Sequence, residues 1–345
     1  AVVSGHIVAS MALTGLRELM RHATPPHLKH AITAGIGAFL AIIGFVGAGW
    51  IADSAATFVT VGDFTSWIPW LALGGVALTG VLLVKRVKGA ILIGILAMTV
   101  LAIIFDLDAY NYGGEALEPF AGFGGSIFGF TNPSDLVFAM DIGAALGLGV
   151  ASVVFTFLFV DFFDTAGTLI GLSEKAGMLD EDGNIEAPRA AFATDGIATS
   201  IGAALGTSST TTYIESAAGV EEGGKTGLTS LTVAVLFLAA MFLSPLAQAI
   251  PTVATSSALI IIGAMMMTGA AKVDWSDYTK AIPAFLAIVG MPFTYSITFG
   301  ISLGILAHTF LMAISGRVRE IHPVMWVLTI LIVLNEAGII DRLLG

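Results

Sequence analysis

The sequence predicts an all-α, polytopic membrane protein, and three observations carry that reading. Hydrophobic residues make up 56% of the chain and charged residues 11%, against about 25% charged in an ordinary soluble domain. The mean hydropathy is +0.93. Several apolar runs reach the roughly 20 residues that a bilayer-spanning helix requires. The 41 glycines fall largely inside those runs, where small residues let membrane helices approach closely.

The predicted spans lie at about 1–16, 31–52, 67–84, 89–105, 143–172, 189–206, 226–249, 256–271, 281–296 and 298–315. A polar half-helix or re-entrant segment is expected at about 207–220. A last apolar stretch at 323–340 either spans or lies in the interface. The first residues, AVVSGHIVASMALTG, read as the middle of a span running outward to inward, so an N-terminally truncated chain is expected.

Charge placement supports the map. Arg17, Arg21, Lys29, Lys85, Arg86, Lys88, Lys175, Arg189, Lys225, Lys272, Lys280, Arg317 and Arg319 all fall in alternate connections. The intervening loops at 53–66, 106–135 and 250–255 hold no Lys or Arg, and carry Asp53, Asp63, Asp106, Asp108, Glu115, Glu118 and Asp135. Basic residues mark the cytoplasmic side, which orients the chain as a multi-pass protein of the cytoplasmic (inner) membrane.

Several chemistries are excluded. There is no cysteine, so disulfides, thiolate metal sites and cysteine nucleophiles are out. No P-loop and no HExxH spacing occur, and no cofactor, metal, nucleic acid or enzymatic reaction is expected. His22, His27 and His30 read as surface residues of a cytoplasmic connection. His6 and His308 read as lone core histidines. The DEDGN stretch at 180–184 lacks the spacing of a calcium loop and reads as a solvated turn.

Function is sought where polar groups are costly. A carboxylate at a helix centre is unfavourable by roughly 2.5–3.5 kcal/mol. Asp161 and Asp164, three apart in FLFVDFFDTAGTLIG, share one helical face. Asp195, in RAAFATDGIATS, is either functional or solvated at a cytoplasmic helix end. Glu215 follows an unbroken Ser/Thr run, Thr207 to Thr212. The β-branched and aromatic residues Thr210–Ile214 favour extended backbone. Such backbone survives at membrane depth only where protein or a water-filled cavity satisfies it. A short β-strand followed by a helix from about Ile214 or Glu215 is therefore expected, the broken-helix arrangement of secondary-transporter sites.

VDFFDTAGTLIGLSEKAGMLDEDGNI, GTSSTTTYIESAAGVEEGGKTGLT and AIPAFLAIVGMPFTYSITFGISLG closely resemble the adenine–guanine–hypoxanthine permeases of the AzgA type, within the nucleobase–ascorbate transporter superfamily. The resemblance runs through essentially the whole chain. It implies the fold of the bacterial uracil permease, with fourteen segments in two inverted repeats, a core domain and a gate domain. It assigns 1–20 to the end of segment 4 (core), 21–105 to segments 5–7 (gate) and 106–135 to an external loop. It assigns 136–250 to segments 8–11 (core, substrate site), 251–316 to segments 12–14 (gate) and 317–345 to a tail with an apolar helix. The first three segments are absent from this assignment.

The resemblance further implies a proton symporter importing adenine, guanine or hypoxanthine. Asp164 and Glu215 would hold the nucleobase ring, and Asp161 would stand beside them. Thr211 and Thr212 would line the short strand, and Phe163 would stack or pack. Asp161 or Asp164 would carry the coupling proton. The expected partners are a purine nucleobase, protons and the lipid bilayer, with a homodimer left open. The alternatives are a same-fold carrier of uracil or xanthine, and an intramembrane aspartyl protease using Asp164 and Asp195. The G-x-G-D signature of that protease class is absent.

Overall fold

The computed structural model describes residues 25–104, 128–130, 132–139, 165, 168–169, 172–173, 176–178, 188–213, 216–221, 223–245, 250–337 and 339. The helices in chain order are α1 (Pro26–Gly47), α2 (Ile68–Val84), α3 (Ala90–Ile104), α4 (Pro188–Ala204), α5 (Ser216–Glu221), α6 (Gly227–Ala240), α7 (Thr252–Met266), α8 (Tyr278–Thr294), α9 (Ile297–Ile314) and α10 (Pro323–Glu336). Between α1 and α2 lies a hairpin of β1 (Ile51–Ser54) and β2 (Phe58–Val61). Among the described residues, three stretches are long and apolar enough to cross a membrane: Pro26–Gly47, Thr252–Lys272 and Ile297–Ile314. The last stretch, expected at 323–340, is helical over Pro323–Glu336, 14 residues. At 1.5 Å per residue that helix is about 21 Å long.

Local sequence sets the ends of these elements. α1 begins at Pro26, because proline suits a first helical turn. It closes before Gly49, which adopts φ +67°. The Trp50 N–H then donates to the Phe45 carbonyl at 2.9 Å, a Schellman closure. The span expected at 31–52 is therefore shifted toward the N-terminus, and its last two residues belong to β1. The hairpin itself corrects the expectation of a plain loop at 53–66. Val59, Thr60 and Val61 are β-branched and pair antiparallel with Asp53, Ala52 and Ile51. The Trp50 indole N–H, bonded to the Pro69 carbonyl at 3.0 Å, ties the hairpin's base to α2.

The chain divides into two compact units. In the unit of Ile36–Thr131 and Ser230–Thr268, α7 packs on α2 and α3. Glycines make these contacts close. A side chain at Gly263 would meet the Gly37 carbonyl oxygen at 2.5 Å, and one at Gly75 would meet the Ser257 Cβ at 2.8 Å. Ala48, Ala72 and Val253 form a buried cluster there.

The other unit comprises Ala1–Gly35, Asn132–Thr229 and Gly269–Gly345. Here α8 and α9 form a tight antiparallel pair. Tyr295 takes φ +53° between them, and the Ser296 hydroxyl caps α9 by accepting the Phe299 N–H at 3.1 Å. Their seam is lined by small residues. A Cβ at Gly290 would lie 3.2 Å from the Gly300 Cα, and one at Gly304 would lie 2.9 Å from the Ala287 Cβ. The start of α1 joins this core, with Ala31 and Ala34 packed with Ala284, Ala287 and Ile288.

The histidine expectations need correction. His27 is 9% exposed and His308 4%, and their rings lie 5.0 Å apart. His27 is thus a buried residue of the first turn of α1, and His308 is paired rather than alone. The cause is the early helix start at Pro26, which carries His27 onto α9. Outside the apolar core, Asp277 caps α8. It accepts the Thr279 N–H at 3.0 Å and hydroxyl at 2.7 Å, and pairs with Lys280 at 3.2 Å and Arg317 at 3.5 Å.

Candidate functional site

Of the residues singled out in the sequence, Asp161, Phe163, Asp164 and Glu215 lie outside the described residues, as does the DEDGN turn. Thr211 and Thr212 are described, and both are half-buried. So are the residues that flank the acids: Thr165, directly after Asp164, is fully buried, and Ser216, directly after Glu215, begins α5.

Asp195 organises this region. It is 6% exposed, which corrects the alternative of a solvated helix end. Its Oδ2 accepts the Thr165 hydroxyl at 2.9 Å. Its Oδ1 accepts the Thr212 N–H and the Thr212 hydroxyl, each at 3.1 Å. One buried carboxylate therefore joins the stretch that follows Asp164 to the stretch that leads to Glu215. Buried carboxylates persist only when paired or multiply hydrogen-bonded, and Asp195 accepts three such bonds, from Thr165 and Thr212. Its oxygens face protein donors, so its chemistry is positioning.

The local fold explains how Thr212 reaches Asp195. α4 ends at Ala204; Gly206 beyond it takes φ +91°, and the Thr207 N–H closes on the Gly202 carbonyl at 3.0 Å. The chain then turns back along α4 in non-helical form through Thr207–Tyr213. The expected short β-strand is only partly realised. The backbone leaves the helix where expected, but among the described residues it forms no ladder. Side chains of α4 supply the missing bonds. The Thr199 hydroxyl, fully buried, donates to the Thr210 carbonyl at 2.8 Å.

Packing supports these bonds. Phe192 and Ala193 of α4 are buried together with Leu169 in contact, which seats Leu169 on α4. Other hydroxyls of α4 are satisfied locally: Thr194 donates to the Ala190 carbonyl at 2.8 Å and Ser200 to the Gly196 carbonyl at 2.9 Å. Asp195 and Thr199 thus differ from their neighbours in reaching out of the helix. Sequence reasoning weighed Asp195 without a partner and passed over Thr199. The available signal was their i, i+4 spacing, which puts both on one face. Among the described residues no group of three His, Cys, Asp or Glu could hold a metal ion.

Comparison with known proteins gives a consistent result. The model of the Xan_ur_permease family, described as a permease family, matches residues 1–303. The guanine/hypoxanthine permease PbuO of Bacillus subtilis is 41% identical over 95% of this chain and 74% of its own length. A putative permease of Methanocaldococcus jannaschii is 39% identical over 96% of this chain and 74% of its own. The adenine permease AdeP of Escherichia coli is 37% identical over 90% of this chain and 67% of its own. These relatives are named as transporters and not as enzymes, which removes the protease alternative.

Proposed function

Because the chain belongs to the Xan_ur_permease family and is a multi-pass membrane permease, we propose that it imports purine nucleobases by proton symport, across the cytoplasmic membrane. Adenine, guanine and hypoxanthine are the candidate substrates, since relatives 37–41% identical over at least 90% of the chain are named for them. The observation that carries the reading is the junction at Asp195. It holds Thr165 at 2.9 Å and Thr212 at 3.1 Å, and so gathers the chain neighbours of two membrane carboxylates, Asp164 and Glu215.

A purine presents alternating donors and acceptors along a planar rim. A carboxylate accepts ring N–H groups, and backbone N–H groups donate to ring nitrogens and carbonyls. Asp164 and Glu215 take the first role in this reading, and backbone near Thr211 and Thr212 the second. Phe163 stacks on the ring or packs beside it. Asp161 or Asp164 carries the coupling proton, because a carboxylate at membrane depth is a natural proton site. A wrong base is rejected because it leaves buried polar groups unpaired. Transport follows from movement of the core domain, 1–20 and 136–250, against the gate segments 21–105 and 251–316.

The test is uptake of labelled adenine, guanine and hypoxanthine by cells lacking their own purine permeases, with and without an uncoupler. Uncoupler-sensitive accumulation of at least one purine supports the reading. A protein present in the membrane that accumulates none of them overturns it.

A further inference from the structure

The bonds that hold the Ser/Thr segment come from one helix, and their spacing is regular. Thr210 meets Thr199 at 2.8 Å, and Thr212 meets Asp195 at 3.1 Å. The segment therefore runs antiparallel to α4, advancing two residues for every four of the helix. Two residues of extended chain cover about 6.6 Å, and four residues of helix about 6.0 Å. The two backbones keep step over this distance, so threonines two apart find partners four apart on one helical face.

A third position on that face completes the fit. Gly202 lies one further turn along, at i+7 from Asp195. A Cβ there would strike the Thr210 hydroxyl and lie 2.9 Å from the Thr207 Oγ1. The missing side chain at 202 leaves room for both threonine hydroxyls against the helix. Backbone polar groups at membrane depth must be met from within the protein. Here Thr199 meets a carbonyl and Asp195 meets an N–H, in place of a neighbouring strand.

We infer that α4 is the template that sets the backbone geometry of the substrate-binding segment, with Asp195, Thr199 and Gly202 as its positioning residues. The inference rests on the purine-permease reading and extends it. α4 offers no group to the base. It fixes where the Thr210–Thr212 backbone stands, and through Asp195 it ties that backbone to Thr165, the residue that follows Asp164 in the chain. Substitutions on this face should therefore act on affinity for the base.

The experiment compares Thr199→Val, Thr199→Ser and Gly202→Ala with the unaltered protein, in cells lacking purine permeases. KM is measured for whichever labelled purine the unaltered protein accumulates, and membrane content is measured in parallel. Val is nearly isosteric with Thr but leaves the Thr210 carbonyl without its donor. The expected result is a rise in KM of about tenfold at unchanged membrane content. Ser should return KM to near the unaltered value, and Gly202→Ala should raise it as Val does. A normal KM in Thr199→Val or Gly202→Ala overturns the inference, as does a serine that fails to rescue. If both Val and Ala variants are lost from the membrane, the face serves the fold rather than the site, which overturns it too. If the unaltered protein accumulates no purine, the functional reading fails and takes this inference with it.

Discussion

Oδ1 of Asp195 accepts two bonds from a single residue, the backbone N–H and the hydroxyl of Thr212, both at 3.1 Å. The two donors are not equivalent. A backbone N–H only donates, so an acceptor opposite Thr212 is obligatory. A hydroxyl both donates and accepts, so Thr165 can turn to meet an amide. Asp195→Asn keeps an oxygen toward Thr212 and presents its NH2 to Thr165. Asp195→Ala leaves both partners unmet, at about 1–3 kcal/mol for each buried group. KM for the transported purine should accordingly shift a few-fold at most in the Asn variant. In the Ala variant it should rise by at least about thirtyfold. Equal KM values in the two variants would remove Asp195 from the site.

The proposed roles of Asp164, Asp161 and Glu215 separate by assay. Glu215→Gln removes a charged acceptor from the base, and hydrogen bonds to charged groups contribute about 1.5–3 kcal/mol each. Gln keeps one acceptor oxygen, so loss of one such bond predicts roughly tenfold to a hundredfold weaker binding, read by competition with unlabelled purine. If Asp161 carries the proton, its Asn variant should lose uphill accumulation while retaining exchange of external for internal purine; if Asp164 carries it, its Asn variant should lose accumulation and bind the base more weakly as well. Accumulation that persists in both Asn variants would move the coupling group elsewhere.

Much of the helical frame was legible because membrane helices are written in long apolar runs. α2 at Ile68–Val84 and α9 at Ile297–Ile314 lie within one residue of their expected limits. What sequence reading missed depended on partners remote in the chain. Asp195 gave no sign of its bonds because Thr212 is 17 residues away and Thr165 is 30. His27 looked like a surface residue among Arg21, Lys29 and His30. Its burial depends on His308 of α9, which no local pattern discloses. The β1–β2 hairpin was hidden for another reason: Asp53 and Asp63 bracket a short β-branched run, and their charge drew attention from Val59–Val61. The proposed carboxylates Asp164 and Glu215 stood out through the cost of charge in an apolar run, which is a local signal.

Gly263 and Gly80 offer a matched pair for the packing argument. A Cβ at Gly263 would sit 2.5 Å from the Gly37 carbonyl oxygen and 3.1 Å from the Ala41 N, whereas one at Gly80 meets nothing within 4 Å. The obstruction at Gly263 includes backbone, which cannot rotate aside. Gly263→Ala should destabilise by about 1–3 kcal/mol through overpacking, seen as a lower Tm in detergent. Gly80→Ala should leave Tm unchanged or raise it, since alanine favours helix. A Tm for Gly263→Ala matching that of Gly80→Ala would contradict the close approach of α1 and α7.

The cap of α8 predicts a pH signature. The Thr279 hydroxyl bond is the largest influence on Asp277, and with the Thr279 N–H and Lys280 it holds that carboxyl well below the usual carboxylate range. A carboxyl depressed in the folded state contributes stability that is complete above its unfolded value. That contribution is lost as pH falls from the unfolded value toward the folded one. Thr279→Val removes the principal cause, so Asp277 should titrate closer to its ordinary value in the folded protein. Arg317 loses its 3.1 Å bond to the Thr279 hydroxyl but keeps its two bonds to Glu320, at 2.8 and 2.6 Å, so the neighbouring ion pair survives the change. The variant should melt below the unaltered protein at neutral pH. The gap should narrow as pH falls below about 4, where the unaltered protein loses the same contribution. Melting curves in detergent from about pH 7 to about pH 3 measure this. A gap of constant size across that range would mean that the hydroxyl acts through packing or Arg317 alone, and not through the Asp277 carboxylate.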